Sequence, residues 1–183
     1  TQHHDRPNMT ASGSKSTPAV GFLTVCRHRE LGLFGGLLLL NQGGRPLEFH
    51  CTAPVKPNRA QEILYGPTLH PFIYSELLGK TLVERLSVKP DIIIVQQAEL
   101  LDLRLHLATP VGCVVDPQAE GALPDETRVQ LGAQVLRVHP EHTEDVDALQ
   151  SASRLVPGDA DLAEPLDRVK DALVETTRAG AVA

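Results

Sequence analysis

The hydrophobic pattern of the chain is densest between Leu33 and Cys51, which read LFGGLLLLNQGGRPLEFHC. Leu37 to Leu40 is an unbroken apolar run of the kind found in strands covered on both faces, and Asn41-Gln42-Gly43-Gly44 follows with residues that tolerate positive φ. The pattern predicts a β-hairpin. On its returning side Leu47, Phe49 and Cys51 alternate with Glu48, His50 and Thr52, so that strand has one apolar and one polar face.

The flanking segments supply partners for this hairpin. Val20 to Cys26 is apolar and partly β-branched, and with Arg27 to Gly32 as a loop it completes a three-stranded antiparallel meander. Ala53-Pro54-Val55-Lys56-Pro57 then ends the pairing. Asn58, with Gln61 three residues on, predicts a capped short helix that stops at Gly66-Pro67. A second helix is predicted from near Pro71 to Leu86, where Phe72, Ile73, Leu77, Leu78, Leu82, Val83 and Leu86 recur at helical spacing.

Ile92-Ile93-Ile94-Val95 has no polar face and reads as a central strand. Glu99 to Leu107 fits two patterns: Leu101, Leu103, Leu105 and Leu107 alternate, while Leu100, Leu103 and Leu107 share a helical face. A helix is favoured, because Thr109-Pro110 and Val111 to Val115 then look like the loop and next strand of an αβ unit. Asp116 to Thr127 is rich in Pro, Gly and acids and reads as a loop, Ala133 to Val138 as a strand, and Glu144 to Leu155 as a helix. A last helix spans Leu162 to Thr177. Its stripe of Leu162, Leu166, Val169 and Leu173 is close to a heptad, so it either packs on the sheet or offers a surface for a protein partner or self-association.

The fold class is therefore α/β: a single domain whose mixed sheet joins an antiparallel three-strand meander to parallel strands, with helices on both faces. Residues 1–18 form a polar tail, 19–140 the α/β core and 141–183 a C-terminal helical extension. From Val20 to Val115 this order of elements resembles a ribonuclease H-like core, a resemblance of element sequence with no motif behind it. The resemblance implies metal-binding carboxylates in the first strand and at the C-terminal end of the fourth. Those places hold Cys26 and its neighbours, and Gln96-Gln97. A profilin-like or roadblock-like adaptor fold is the competing architecture.

Composition narrows the function classes. The 183 residues carry a net charge of -6 and only 3% aromatics, which argues against a base-stacking, counterion-releasing surface and makes nucleic acid an unlikely partner. Cys26, Cys51 and Cys113 have no CxxC spacing and read as reduced thiols. The apolar runs are far shorter than the roughly 20 residues of a membrane helix, and the first residues lack a signal-peptide core. The chain is expected to be soluble and cytoplasmic, with no membrane partner and no cofactor. Asn8-Met9-Thr10 is a glycosylation sequon without weight in that setting.

Candidate chemistry is sparse. Lys56, Asn58 and Arg59 stand where a strand gives way to a helix, so free helix N–H groups and two cations could hold a phosphate or carboxylate. The competing reading is that Asn58 only caps the helix between solvated charges. Glu48 and Asp116 are weak candidates for a divalent cation. His50 and Cys51 are adjacent on a strand and face opposite ways, so they make no thiol–imidazole pair. In His139-Pro140-Glu141-His142 the proline breaks the helix that would bring both rings to one face. No P-loop, GxSxG, zinc cluster or dinucleotide fingerprint is present. By elimination the chain is expected to be a non-catalytic binding or assembly module of unknown partner, with an anion-binding junction. The alternative is a metal-dependent phosphoryl-transfer or nuclease-type enzyme on a ribonuclease H-like core, and whether the chain is an enzyme is left open.

Overall fold

The computed structural model describes residues 17–181. The polar tail expected over residues 1–18, except for Thr17 and Pro18, and the Asn8-Met9-Thr10 sequon lie outside those residues.

The central hairpin forms as its turn chemistry dictates. Strands β1 (Ala19–His28) and β2 (Gly32–Asn41) pair antiparallel from Ala19 opposite Asn41 to His28 opposite Gly32. At the next turn the Asn41 carboxamide oxygen accepts from the Gly43 and Arg45 amides at 3.0 and 2.9 Å, and Gly44 takes φ 80. The chain returns as β3 (Pro46–Cys51), with a bulge between Leu39 and Leu40. Beyond it, Leu33 and Val55 exchange backbone hydrogen bonds, and Gly32, at φ 96, leaves no room for a side chain against the Val55 carbonyl. That close approach brings the Lys56 segment beside the end of β1.

Strand β4 (Ile92–Val95) runs parallel to β1, and β5 (Val111–Val114) parallel to β4. The hairpin of β6 (Arg128–Leu131) and β7 (Gln134–Arg137) joins β5 antiparallel, giving one seven-stranded mixed sheet of order β3-β2-β1-β4-β5-β7-β6. The first five strands thus follow the layout of a ribonuclease H-like core. Sequence reading missed β6. Arg128-Val129-Gln130-Leu131 is too short and too polar to stand out, and only its pairing with β7 across Gly132 makes it a strand.

Alternate residues of the inner strands feed two apolar layers. Leu23, Leu37, Ile93 and Val111 face Ile73, Leu78, Leu82 and Leu103 on one side. Phe22, Leu38, Ile94 and Leu136 face Leu149, Leu166, Val169 and Leu173 on the other. Each fully buried Leu or Ile contributes about 1.5–3 kcal/mol of transfer free energy, so these layers dominate stability.

The short helix α1 (Arg59–Tyr65) carries the expected capping box. The following helix is not uniform: it passes from α2 (Leu69–Phe72) through a π-helical stretch, Ile73–Lys80, into α3 (Thr81–Glu84). The leucine-rich segment after β4 is a run of 3₁₀ turns, Ala98–His106, so the ambiguous spacing had a period of three, which puts Leu100 and Leu103 together in the core. The other layer is built by α4 (Asp145–Ser151) and α5 (Ala163–Ala181).

This packing decides between the two readings of the C-terminal stripe, in favour of the sheet, and leaves the apolar face of β3 partly open. The stripe of Leu162, Leu166, Val169 and Leu173 is no more than 2% exposed, because α5 lies across β1 and β2; it is core, with nothing left to offer a partner or a second copy. Conversely Leu47 and Phe49 of β3 are 37% and 38% exposed, since β3 is the sheet edge and α5 does not reach over it. Gly36 and Gly35 of β2 set how closely α5 and the opposite helical layer approach the sheet. A Cβ on Gly36 would come within 2.8 Å of Val169, while one on Gly35 would meet Leu82 at 3.1 Å on the opposite face.

Among the described residues no helix is long and apolar enough to cross a membrane.

Candidate functional site

Parallel pairing of β1 with β4 ends at Leu23 and Val95, and the next residues of both strands face the same end of the sheet. Side chains finish what the backbone leaves open there. The Gln97 carboxamide lies alongside Val25: its oxygen accepts from the Val25 N–H at 3.1 Å and its nitrogen donates to the Val25 carbonyl at 2.9 Å. The same nitrogen donates to the buried Thr24 hydroxyl at 3.1 Å, and that hydroxyl donates to the Gln96 side-chain oxygen at 2.5 Å. A carboxylate could not replace Gln97, because only an amide both accepts from an N–H and donates to a carbonyl.

Over this floor lies a cavity of about 560 Å³ between the end of β1 and the C-terminal half of α5, lined by Cys26, Phe34, Gln96, Lys170, Val174 and Arg178 among others. Lys170, Val174 and Arg178 recur every four residues, so they share one face of α5 beside its buried stripe. Burial pushes the Cys26 thiol up, opposed in part by the Lys170 ammonium, so the sulfur is a neutral thiol and no ready nucleophile.

A second cavity, about 480 Å³, opens on the other side of the β1 end and includes Arg29, Lys56, Glu62 and His70. Arg27 and His28 line both. The His28 Nδ1 accepts from the Glu30 and Leu31 amides, each at 3.2 Å, which leaves its proton on Nε2 as a donor. The joined clefts therefore gather Arg27, Arg29, Lys56, Lys170 and Arg178, with Glu62 as the acid on their walls. Among the described residues Arg27, Arg29, Lys56 and Lys170 form no ion pair, while Arg178 lies 3.2 Å from Glu175.

The residues singled out from sequence are placed as follows. Asn58 and Gln61 cap each other's backbone at 2.9 and 3.0 Å, and Arg59 pairs with Glu62 at 3.2 Å. Lys56 donates to the Glu30 carbonyl at 3.2 Å and lines the second cleft. The structure thus brings Lys56 to the cationic track and turns Arg59 onto a neighbouring acid. Glu48 and Asp116 are not brought together: β2, β1, β4 and β5 separate β3 from the segment after β5, roughly 19 Å of sheet at about 4.8 Å per strand. Glu48 instead accepts from the Ser87 and Val88 amides and from His50, and Asp116 accepts from the Gln118 amide at 2.9 Å. The backbone N–H groups of Ser87 and Val88, with His50 adding to them, hold Glu48 down at about 2.

Sequence reading missed Arg27, Lys170 and Arg178 as a group. The only signal was the four-residue spacing on α5, and nothing local says that this helix ends beside β1.

No family model and no curated protein sequence matches the chain. Among solved structures it is similar to human ENDOV, at 11% identity over 90% of this chain and 86% of that one, with a TM-score of 0.48. It is also similar to a Ciona intestinalis endonuclease V variant in complex with a 23mer DNA containing an inosine followed by a ribo-adenosine, at 12% identity over 87% of each chain, with a TM-score of 0.46. Both neighbours are nucleases by name, and one holds DNA. A non-catalytic binding or assembly module, and a chain for which nucleic acid is an unlikely partner, are not what these neighbours are by name, and neither expectation is carried further. The physical fault in the charge argument is that a net charge of -6 averages over the whole surface and says nothing about one end of the sheet.

Proposed function

We propose that this chain is a nucleic-acid-binding protein built on a nuclease-type fold, with the phosphates of a strand lying along the joined clefts at the end of β1. One observation carries the reading: the two cavities meet at Arg27 and His28 and between them collect Arg29, Lys56, Lys170 and Arg178 in a chain whose net charge is -6. Cations drawn together against an acidic background would repel one another without an anion, and a row of phosphates supplies several at regular spacing. Each cavity falls in the size range of a small-ligand pocket, suited to a nucleotide unit of a single strand. Phe34 and Val174 give the first cleft an apolar wall for a sugar or base, while the His28 Nε2–H, the arginines and the lysines provide donors for phosphate oxygens.

The fold layout implies a divalent cation held by carboxylates at the ends of β1 and β4, and the residues present do not fit one. The donors there are a protonated thiol, a hydroxyl and two carboxamides, and the oxygens of the hydroxyl and of both amides are already engaged within the network. Mg²⁺ is held by carboxylates, of which this floor has none. Among the described residues no group of three or more His, Cys, Asp or Glu side chains could hold a metal. No step through a metal is therefore derived. What the chain's own residues supply is strand holding, charge neutralisation and a neutral hydrogen-bonding floor. The three unpaired thiols fit a reducing, cytoplasmic setting for this work.

Fluorescence anisotropy with labelled single-stranded DNA and RNA, titrated against salt, tests the reading, with strand integrity followed on denaturing gels. Five phosphate contacts predict a slope of log K against log salt near -3.5, at about 0.7 per contact for single strands. Arg27→Ala with Arg178→Ala should weaken binding and flatten the slope by about 1.4. Absence of binding at low salt, or a slope unmoved in the double variant, would overturn it.

A further inference from the structure

The mismatch between the fold layout and the strand-end residues has a positive side. We infer that the Lys170 ammonium is this centre's resident cation: it takes the place of a divalent metal, so the chain holds a phosphate beside Gln96 and Cys26 without any metal ion. The inference rests on the strand-binding reading for its ligand but not for its statement about metals.

Three observations support it. Lys170 stands on the face of α5 that walls the first cleft, one residue after Val169, whose side chain is locked against Gly36. The backbone beneath the ammonium is therefore fixed, although the side chain itself is exposed. Second, Lys170 lines the same cavity as Cys26 and Gln96, at the end of β1. A divalent ion brought to the same spot would meet that positive charge with no carboxylate to offset it. Third, the floor is closed. Gln97 is spent on both polar groups of Val25, and Thr24 is spent on Gln96 and Gln97. Freeing those oxygens to coordinate an ion would strip the end of β1 of its partners. An ammonium group needs no such ligands, and it binds phosphate as a point charge.

Manganese titrated into the metal-free protein by isothermal calorimetry, together with strand affinity measured in EDTA and in Mg²⁺ at matched ionic strength, decides the matter. The expected results are no saturable Mn²⁺ site and the same strand affinity in both buffers. Lys170→Met, which keeps the length of the side chain on an exposed position, should weaken strand binding about tenfold and lower the salt slope by about 0.7, with no rescue by Mg²⁺. A one-to-one Mn²⁺ isotherm, loss of strand binding in EDTA, or rescue of Lys170→Met by Mg²⁺ would overturn the inference. If no strand binds under any condition, the proposed function fails, and the Mn²⁺ isotherm still reports separately on the metal.

Discussion

Glu48→Gln probes how edge strand β3 is tied down. Both Glu48 carboxylate oxygens lie 3.0 Å from the Ser87 amide, one is 2.8 Å from the Val88 amide, and His50 Nε2 is 3.1 Å away. These donors lower its pKa from 4.5 to about 2. A carboxylate depressed on folding contributes stability that is fully present above its unfolded pKa and is lost as pH falls through the folded one, so the window runs from about 4.5 down to about 2. Converted at about 1.4 kcal/mol per pKa unit, the whole shift is worth about 3.5 kcal/mol. The side chain keeps 15% of its surface in water at an open sheet edge, which reduces the expected contribution to about 2 kcal/mol. Glutamine retains one acceptor and turns an NH₂ toward backbone donors, so the variant loses most of that amount. Urea unfolding of wild type and variant across pH 7 to 2 should show a difference of about 2 kcal/mol at neutral pH that closes between about pH 4.5 and 2. A difference that stays constant across that window, or is absent at pH 7, would refute the reasoning.

Ile93 is fully buried between Gly21 and Val111, so Ile93→Asp should abolish the folded state, seen as loss of the circular dichroism transition; a cooperative variant with an unchanged melting temperature would sink the assignment of β4 as a central strand. Leu166→Glu should unfold the α5 layer without any dimer-to-monomer step in light scattering, and clean dissociation of a dimer would show the stripe to be an interface. Gln97→Glu sets a carboxylate against the Val25 carbonyl and should cost about 1–3 kcal/mol in urea unfolding; wild-type stability would mean that the amide does not close the strand end. The Cys113 thiol, pushed by burial up to about 12, should escape Ellman's reagent until the protein unfolds, and native labelling mapped to Cys113 would contradict its placement.

What could be read from sequence was whatever local chemistry decides. The Asn41 to Gly44 turn, the Asn58–Gln61 cap and the unbroken Ile92 to Val95 run each specify their element within a few residues, and the order of strands and helices followed from them. β6 escaped because its identity lies in its partner β7, and the 3₁₀ run at Ala98–His106 escaped because a period of three resembles both periods for which one looks. The exposure of Leu47 and Phe49 depended on where α5 stops, which their own alternation cannot report. The cationic cleft was the least legible feature. Arg27, Lys56 and Lys170 come from distant parts of the chain and line adjoining clefts only because β1 is an inner strand, Val55 is stitched to Leu33, and α5 crosses above.

Gly36 gives that crossing a calibration. The hydrogen it presents to Val169 and Leu173 sets the height of α5 above the sheet, and Lys170 and Val174 are the next residues along the same helix. A methyl group there would stand 2.8 Å from Val169, so the helix would have to rise by several tenths of an ångström, carrying Lys170 and Arg178 away from Arg27. The gauge of the cleft, and so under the strand-binding proposal the phosphate spacing it would match, is thus written at a core position with no charge. Under the strand-binding proposal, drift at such a glycine would retune the protein for a differently spaced anion without replacing any cationic residue.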